Sequence, residues 1–395
     1  MTTTRTLKIA IIAGEVSGDL LGGDLIQSLK SRHDGPIELM GVGGEAMRAQ
    51  GLEPIFDVSE LSVMGFTAVL KTLPKIIRLI NETVDAVIAA RPDLLIIIDS
   101  PDFTHRVAKK VRKKLPDLPV VDYVCPSVWA WKEYRAPVMR DYVDLVLAVL
   151  PFEPEVMERL GGPKTHFVGH RLSADEDVAR VRAARAVRPL PQDGEQRTLM
   201  LLPGSRGGEI RALLPVFGEA ALEFINRNGP TRLLLPTVPR QEQLVREMTA
   251  GWRHQPEIMV GPKAKWDAFE AADMAIAASG TVILELALAG IPVVSAYKAD
   301  WIVKMMTFRI KIWTAALPNL VADYAVVPEY INAVVRPGSL VRWAERLTTD
   351  TLQRKAMLAG FDTVLERLQT DVPPGEKGAA LVLDLLHGRE ILPLS

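Results

Sequence analysis

Several short runs in the first half of the chain, Leu7–Ala13, Leu94–Ile98, Val120–Val124 and Leu145–Val149, are apolar almost without a break. A strand with one wet face alternates apolar and polar residues; a run with little alternation must be covered on both faces, as in a parallel sheet. Helical patterns fill the gaps, one from about Leu20 to Lys30. Another places apolar residues at Leu70, Leu73, Ile76, Ile77, Ile80, Val84, Val87 and Ile88, a spacing of three and four. Glu38–Val42 reads as a further strand.

The alternation stops at the Arg-, Asp- and Ala-rich stretch Ser173–Gln196 and then resumes. Strands are expected at Thr198–Leu202, Arg232–Leu235, Glu257–Val260, Met274–Ala277 and Pro292–Ala296. Helices are expected from Glu209, near Gln241 and after Thr281. Two βαβ series predict an α/β protein of two doubly wound sheets facing a cleft. At 395 residues the chain is too long for one ordinary core. The expected domains are 1–172, 173–340 and a helical region 341–395 that packs back on the first domain or exchanges between subunits.

Composition narrows the function. The net charge of −1 gives no global attraction to nucleic acid. Cys125 is the only cysteine, so an intrachain disulfide and a thiolate metal cluster are excluded, as suits a reducing cytosol. His166 and His170 read as lying on an extended segment, roughly 13 Å apart, which does not suit a metal. No metal and no cofactor are expected. No run approaches the roughly 18 apolar residues of a membrane span, so the protein is expected to be soluble or to lie on a membrane surface.

Ligands of parallel sheets bind at the carboxyl ends of strands, and five such loops carry chemistry. Leu202-Pro203-Gly204-Ser205-Arg206 opens a helix; its glycines let backbone N–H groups approach an anion and Arg206 adds charge, the pattern of a phosphate site. Ser279, Gly280 and Thr281 form a second strand-to-helix turn, where the hydroxyls can cap the helix and touch phosphate. Glu285 follows in an apolar segment, either accepting from ribose hydroxyls or satisfied structurally. Gly14, Glu15, Ser17, Gly18 and Asp19 form an acidic loop suited to a hydroxyl-rich acceptor, or a plain turn with Asp19 near the helix start. Asp99 leaves a buried strand where a carboxylate can take a proton from an attacking hydroxyl; Glu15, Asp19 and His105 are rivals, and Asp102 is a candidate helix cap. Beyond Val124, Ser127 and Trp129 begin a loop whose aromatic faces suit either core packing or the wall of a sugar site.

Taken together, AGEVSGD (13–19), VMGF (63–66), DSPDF (99–103), PSVWAWK (126–132), LPFE (150–153), VGH (168–170), LLPGSR (201–206), ASGT (278–281), LPNL (317–320) and VPE (327–329) resemble the bacterial lipid-A-disaccharide synthase family. The resemblance implies a GT-B fold. It implies transfer from UDP-2,3-diacylglucosamine to 2,3-diacylglucosamine 1-phosphate, with inversion at the anomeric carbon. It assigns the base to Asp99 and activity to Asn319, and leaves diphosphate stabilisation to Arg206 and helix N-termini. It maps an acyl-chain wall to Val69, Leu70, Leu73, Ile76 and Ile77, interrupted by Thr67. Departures from the usual pattern are Cys125, Arg171 and Tyr330-Ile331-Asn332.

Lipid substrates imply a protein on the cytoplasmic face of the inner membrane, touching its phospholipids. The cluster Lys109, Lys110, Arg112, Lys113 and Lys114 suits that contact or a plain solvated face, and Trp301–Trp313 is a second candidate. A homodimer is one option and no nucleic acid is expected. The competing readings are another GT-B enzyme, of the peptidoglycan glycosyltransferase or UDP-sugar epimerase kind, and a non-catalytic UDP-sugar-binding protein on the membrane surface.

Overall fold

A computed structural model describes residues 6–61, 66–192, 194–298 and 311–388. Its described chain forms two compact units, residues 1–171 with 370–395 and residues 172–369. Each is built on one parallel sheet.

The first unit contains β1 (Leu7–Ala13), β2 (Ile37–Val42), β3 (Glu53–Pro54), β4 (Leu94–Ile98), β5 (Val120–Tyr123), β6 (Leu145–Ala148) and β7 (Lys164–Phe167). They lie side by side in the order β3-β2-β1-β4-β5-β6-β7. The pleat divides β1 between two apolar layers. Ala10 and Ile12 face α3 (Phe66–Ala90) and α4 (Thr104–Lys114), meeting Leu79, Val84, Val107 and Val111. Ile9, Ile11 and Ala13 face α1 (Val16–Arg32), meeting Leu25, Ile26 and Leu29. Both layers are dry, which is why β1 and β4 tolerate so few polar residues. The remaining helices here are α2 (Glu45–Ala49), α5 (Arg135–Met139) and α6 (Glu153–Arg159).

The second unit contains α7 (Glu176–Ala186), β8 (Arg197–Leu202), α8 (Gly207–Asn228), β9 (Thr231–Thr237), α9 (Glu242–Thr249), β10 (Glu257–Val260), α10 (Pro262–Ala271), β11 (Met274–Ala278), α11 (Thr281–Leu288), β12 (Val293–Tyr297) and β13 (Glu329–Ile331). The sheet order is β10-β9-β8-β11-β12-β13. The stretch 173–196, read as a break between domains, carries α7, whose Val178 and Val181 are buried.

The helical C-terminal region divides. Pro337–Leu347 and Leu352–Leu368 stay with the second unit, while Pro374–Leu386 belongs to the first. Ala379, Leu381 and Val382 of that last helix join the α1 layer, where Leu381 is only 2% exposed. Burial of such a side chain contributes about 2 kcal/mol. Leu381→Ala is therefore expected to destabilise the protein by about 2–4 kcal/mol in urea denaturation. A loss below about 0.5 kcal/mol would mean that the helix is a loose appendage.

Candidate active site

In both sheets the winding reverses at one place, between β1 and β4 in the first and between β8 and β11 in the second. Loops leaving the carboxyl ends of the two strands at such a point run off in opposite directions and leave a crevice. Four of the five loops singled out from the sequence are the pairs that flank these two crevices.

In the second unit, β8 ends in Leu202 and the chain turns through Gly204 into α8. Gly204 has φ of +110°, and a Cβ there would sit 2.4 Å from Glu209 Oε2, so only glycine fits. Glu209 braces the turn: it accepts from the backbone N–H of Arg206 at 3.4 Å and from Arg206 Nη1 at 2.8 Å. Arg206 is the N-cap residue of α8 and its side chain is 78% exposed, open to an incoming anion.

Across the crevice, α11 begins at Thr281 with Gly280 as its N-cap and no side-chain cap. The expectation that Ser279 or Thr281 caps this helix is thus corrected. The uncapped N–H groups carry the positive end of the helix dipole.

These loops line a cavity of about 480 Å³, together with Thr237, Pro262, Lys265 and Glu285, a volume in the range of small-molecule sites. Glu285 lies one turn beyond Thr281 on the same helix face. Its two oxygens meet Lys265 Nζ at 3.0 and 2.9 Å, and the ammonium lies 4.5 Å from the centre of the Trp266 ring. The carboxylate is charge-compensated yet still lines the cavity. Lys265 escaped the sequence reading; the Gly261-Pro262 helix start just before it was the available signal.

In the first unit Gly14 and Asp99 leave β1 and β4. A Cβ on Gly14 would lie 2.5 Å from Ser100 Cβ, so the loops touch. Asp99 Oδ1 accepts from Ser100 N–H at 2.7 Å and Oδ2 from Ser17 Oγ at 3.5 Å. Thr104 Oγ1 donates to the Asp99 carbonyl at 2.6 Å and ties the loop to the start of α4. Asp99 (φ +52°), Ser100 (+47°), Val124 (+83°) and Lys132 (+55°) all hold left-handed backbone. For non-glycine residues that costs about 1–2 kcal/mol each, most for a β-branched valine, and such strain collects at functional sites.

Glu15 and Ser17 are exposed at the start of α1, which begins earlier than its apolar pattern indicated. Gly18 is buried against Ala13 and Ile98, where α1 crosses the sheet closely. Asp19 is drawn elsewhere: its carboxylate accepts from the backbone N–H groups of Gly44, Ala46 and Met47 at 2.7, 2.9 and 3.1 Å. It caps α2 and is 5% exposed, a framework residue rather than an acceptor contact. Asp102 caps nothing; it is exposed and pairs with Arg135 at 3.3 Å. His105 is occupied by Asp122 at 3.3 Å and Tyr142 at 3.1 Å.

Asn319, expected to be catalytic, is 2% exposed and spends both ends of its amide on the fold. Nδ2 donates to Thr314 Oγ1 and the Val327 carbonyl, and Oδ1 accepts from the N–H groups of Val326 and Val327. It is a positioning residue that pins the 326–327 segment to the helix Leu317–Ala322.

Ser127 is exposed, and its carbonyl accepts from Ala130 and Trp131 N–H groups. Trp129 packs edge-on to Phe152 and donates from Nε1 to Glu153 Oε1 at 3.1 Å. Glu153 Oε2 accepts from the N–H groups of Val149 and Leu150. Burial drives the Glu153 pKa up to about 8 against the opposing pull of these bonds.

Of the expected acyl wall, Leu73 and Ile77 are exposed on α3 while Ile76 packs against the core. The side chains of Val69, Leu70 and Thr67 and most of the VMGF motif lie outside the described residues, as do residues 301–310 of the Trp301–Trp313 segment. In the basic cluster, Arg112 is locked to Asp144 and Lys110 donates to Asn81, leaving Lys109, Lys113 and Lys114 exposed.

A family model described as lipid-A-disaccharide synthetase matches residues 9–372. A lipid-A-disaccharide synthase of Nitrobacter winogradskyi is 45% identical over 386 residues, covering 96% of each chain. Among solved structures, a putative UDP-N-acetylglucosamine 2-epimerase from Listeria monocytogenes aligns with a TM-score of 0.59 at 13% identity, covering 98% of each chain. The glycosyltransferase of kitacinnamycin aligns at 0.60 and 16%, covering 96% of this chain and 99% of its own. At those identities the structural likeness speaks to the fold, the two-domain GT-B arrangement.

Because the folded Glu153 pKa lies above its unfolded value, its contribution to stability is complete below about 4.5 and declines as pH rises through about 8. Glu153→Gln is expected to remove that slope from denaturation curves measured across pH 4.5–8. A variant with the wild-type slope would contradict the assignment.

Proposed function

The chain belongs to the lipid-A-disaccharide synthase family, and on that premise we propose that its second unit holds UDP-2,3-diacylglucosamine and its first unit holds 2,3-diacylglucosamine 1-phosphate. Membership makes it a glycosyltransferase of lipid A biosynthesis acting on lipid A precursor sugars. The residues, the order of events and the finer substrates are our reading.

The observation that carries this reading is the position of Asp99. It is a half-buried carboxylate at the switch point of its sheet, held in left-handed backbone and hydrogen-bonded by Ser17 and Ser100. Asp99 takes the proton of the acceptor 6-hydroxyl as that oxygen attacks the anomeric carbon. The carbon–oxygen bond to the diphosphate breaks on the opposite face, so an α-linked donor gives a β-linked disaccharide. The electron pair leaves with UDP, whose growing charge falls on Arg206 and the N-termini of α8 and α11. Glu285, lining the same cavity, takes the ribose hydroxyls. Glu15, Ser17, Ser127 and the Trp129 loop form the acceptor side. No step calls on a metal.

The substrates are lipids, and peripheral contact with the cytoplasmic face of the inner membrane follows from that. No helix among the described residues is long and apolar enough to cross a membrane. Exposed Leu73 and Ile77, with Lys109, Lys113 and Lys114, support such contact; each cation contributes about 1 kcal/mol near an anionic surface. An epimerase reading draws on fold likeness alone, whereas the family match runs through both units.

Two variants test the roles separately. Asp99→Asn is expected to lower kcat by about a hundredfold or more while sparing UDP affinity; near-normal turnover would remove Asp99 as the base. Arg206→Ala is expected to weaken UDP binding by about tenfold or more in calorimetry, and unchanged affinity would contradict its diphosphate role.

A further inference from the structure

A second pocket lies in the first unit beside the Asp99 loop, between α4 and α5. Its volume is about 180 Å³, and its lining includes His105, Arg106, Lys109, Tyr134, Arg135 and Tyr142. That is below the roughly 300 Å³ at which pockets hold whole small molecules, so it suits one chemical group. Pro101 and Asp102 also line it. Asp102 is three residues from Asp99, so the chain holds their Cα atoms within about 11 Å of each other.

Charge says which group. Three permanent cations face the pocket against one carboxylate. Arg106 and Lys109 are exposed and have no ion-pair partner among the described residues. Arg135 is paired only with Asp102, whose side chain is 83% exposed. An ion pair so open to water is weak, and a stronger anion can displace Asp102 into solvent. Behind this rim the floor is rigid. Asp122 is fully buried and meets His105 Nε2 at 3.3 Å, while His105 Nδ1 meets the Tyr142 hydroxyl at 3.1 Å. The Arg135 guanidinium also lies 5.8 Å from the centre of the Trp131 ring, which orients it.

Resting on the reading above that the acceptor is a sugar 1-phosphate, we propose that this pocket seats the acceptor's phosphate as a phosphate-monoester site formed by Arg106, Lys109 and Arg135. Two arginine forks and an ammonium match a dianion's three free oxygens. The site anchors the sugar by one end, beside the base that works on the other. It thereby selects a phosphorylated acceptor over the free sugar.

Two measurements on the full-length chain test this. In neutral detergent micelles free of phospholipid, kcat/KM is compared for the acylated acceptor bearing a 1-phosphate and for the same sugar with a free 1-hydroxyl. Wild type is expected to favour the phosphate by about tenfold or more, and Arg106→Ala/Arg135→Ala to lose that preference with the KM for the UDP-sugar unchanged. Lys109→Ala, at an exposed position, is expected to move the same way by less. A preference retained in full by the double variant would overturn the proposal.

In the second measurement, inorganic phosphate is titrated into protein saturated with UDP. One saturable phosphate site is expected in wild type and none in the double variant. No saturable site in wild type, or an equal one in both proteins, also overturns it. Absence of disaccharide from either acceptor, with the phosphate site intact, would instead sink the transferase reading.

Discussion

A parallel sheet covered on both faces has no surface left for chemistry except the ends of its strands. Here β1, β4, β8 and β11 are buried nearly throughout, and at the two points where winding reverses their loops diverge. The proposed base, Asp99, and the proposed diphosphate contacts at Arg206 and Gly280–Thr281 reach their places through that constraint. Gly14 lets the β1 loop touch Ser100, and Gly204 lets the β8 loop fold over Glu209. The left-handed residues Asp99 and Ser100 take their strain at the end of β4, and Val124 does so at the end of the neighbouring β5. Apolar burial in the sheets supplies the stability against which that strain is held.

The two units divide the electrostatic work by composition. The second unit's cavity suits the leaving diphosphate proposed for it, with Arg206, paired with Glu209 yet largely exposed, at its rim and the start of α11, without a side-chain cap, opposite. Its two carboxylates are each paired with a cation, Glu209 with Arg206 and Glu285 with Lys265. In the proposed reaction the first unit supplies a carboxylate, Asp99, to take the proton, and the cations Arg106, Lys109 and Arg135 line a pocket beside its loop, between α4 and α5.

The architecture was legible in the sequence because unbroken apolar runs have few folded solutions, and the loops were legible because glycine, serine and charge cluster there. What escaped was the use made of individual polar side chains. Asp19 sits in the acidic loop, but its partners are the backbone N–H groups of Gly44, Ala46 and Met47, some 25 residues on. Asn319 belongs to a recognisable motif, yet its amide is consumed in holding Val326 and Val327. Trp129 read as either core packing or the wall of a sugar site, and the buried Glu153 to which it donates left no trace in local pattern. Lys265 lies on a helix of ordinary composition. For Asp19, Trp129 and Lys265 the decisive contact is 20 or more residues away, and for Asn319 it lies across a turn seven and eight residues on; hydrophobic periodicity reports on neither.

The proposed reaction requires the second unit's crevice to be the nucleotide site. A crystal structure of the protein with UDP bound tests that most directly. The diphosphate is predicted within hydrogen-bonding distance of Arg206 and of the backbone N–H groups at Ser205 and Gly280–Thr281, with the ribose hydroxyls on Glu285. UDP seated at the Gly14–Asp19 and Asp99 loops, or away from both switch points, would contradict it.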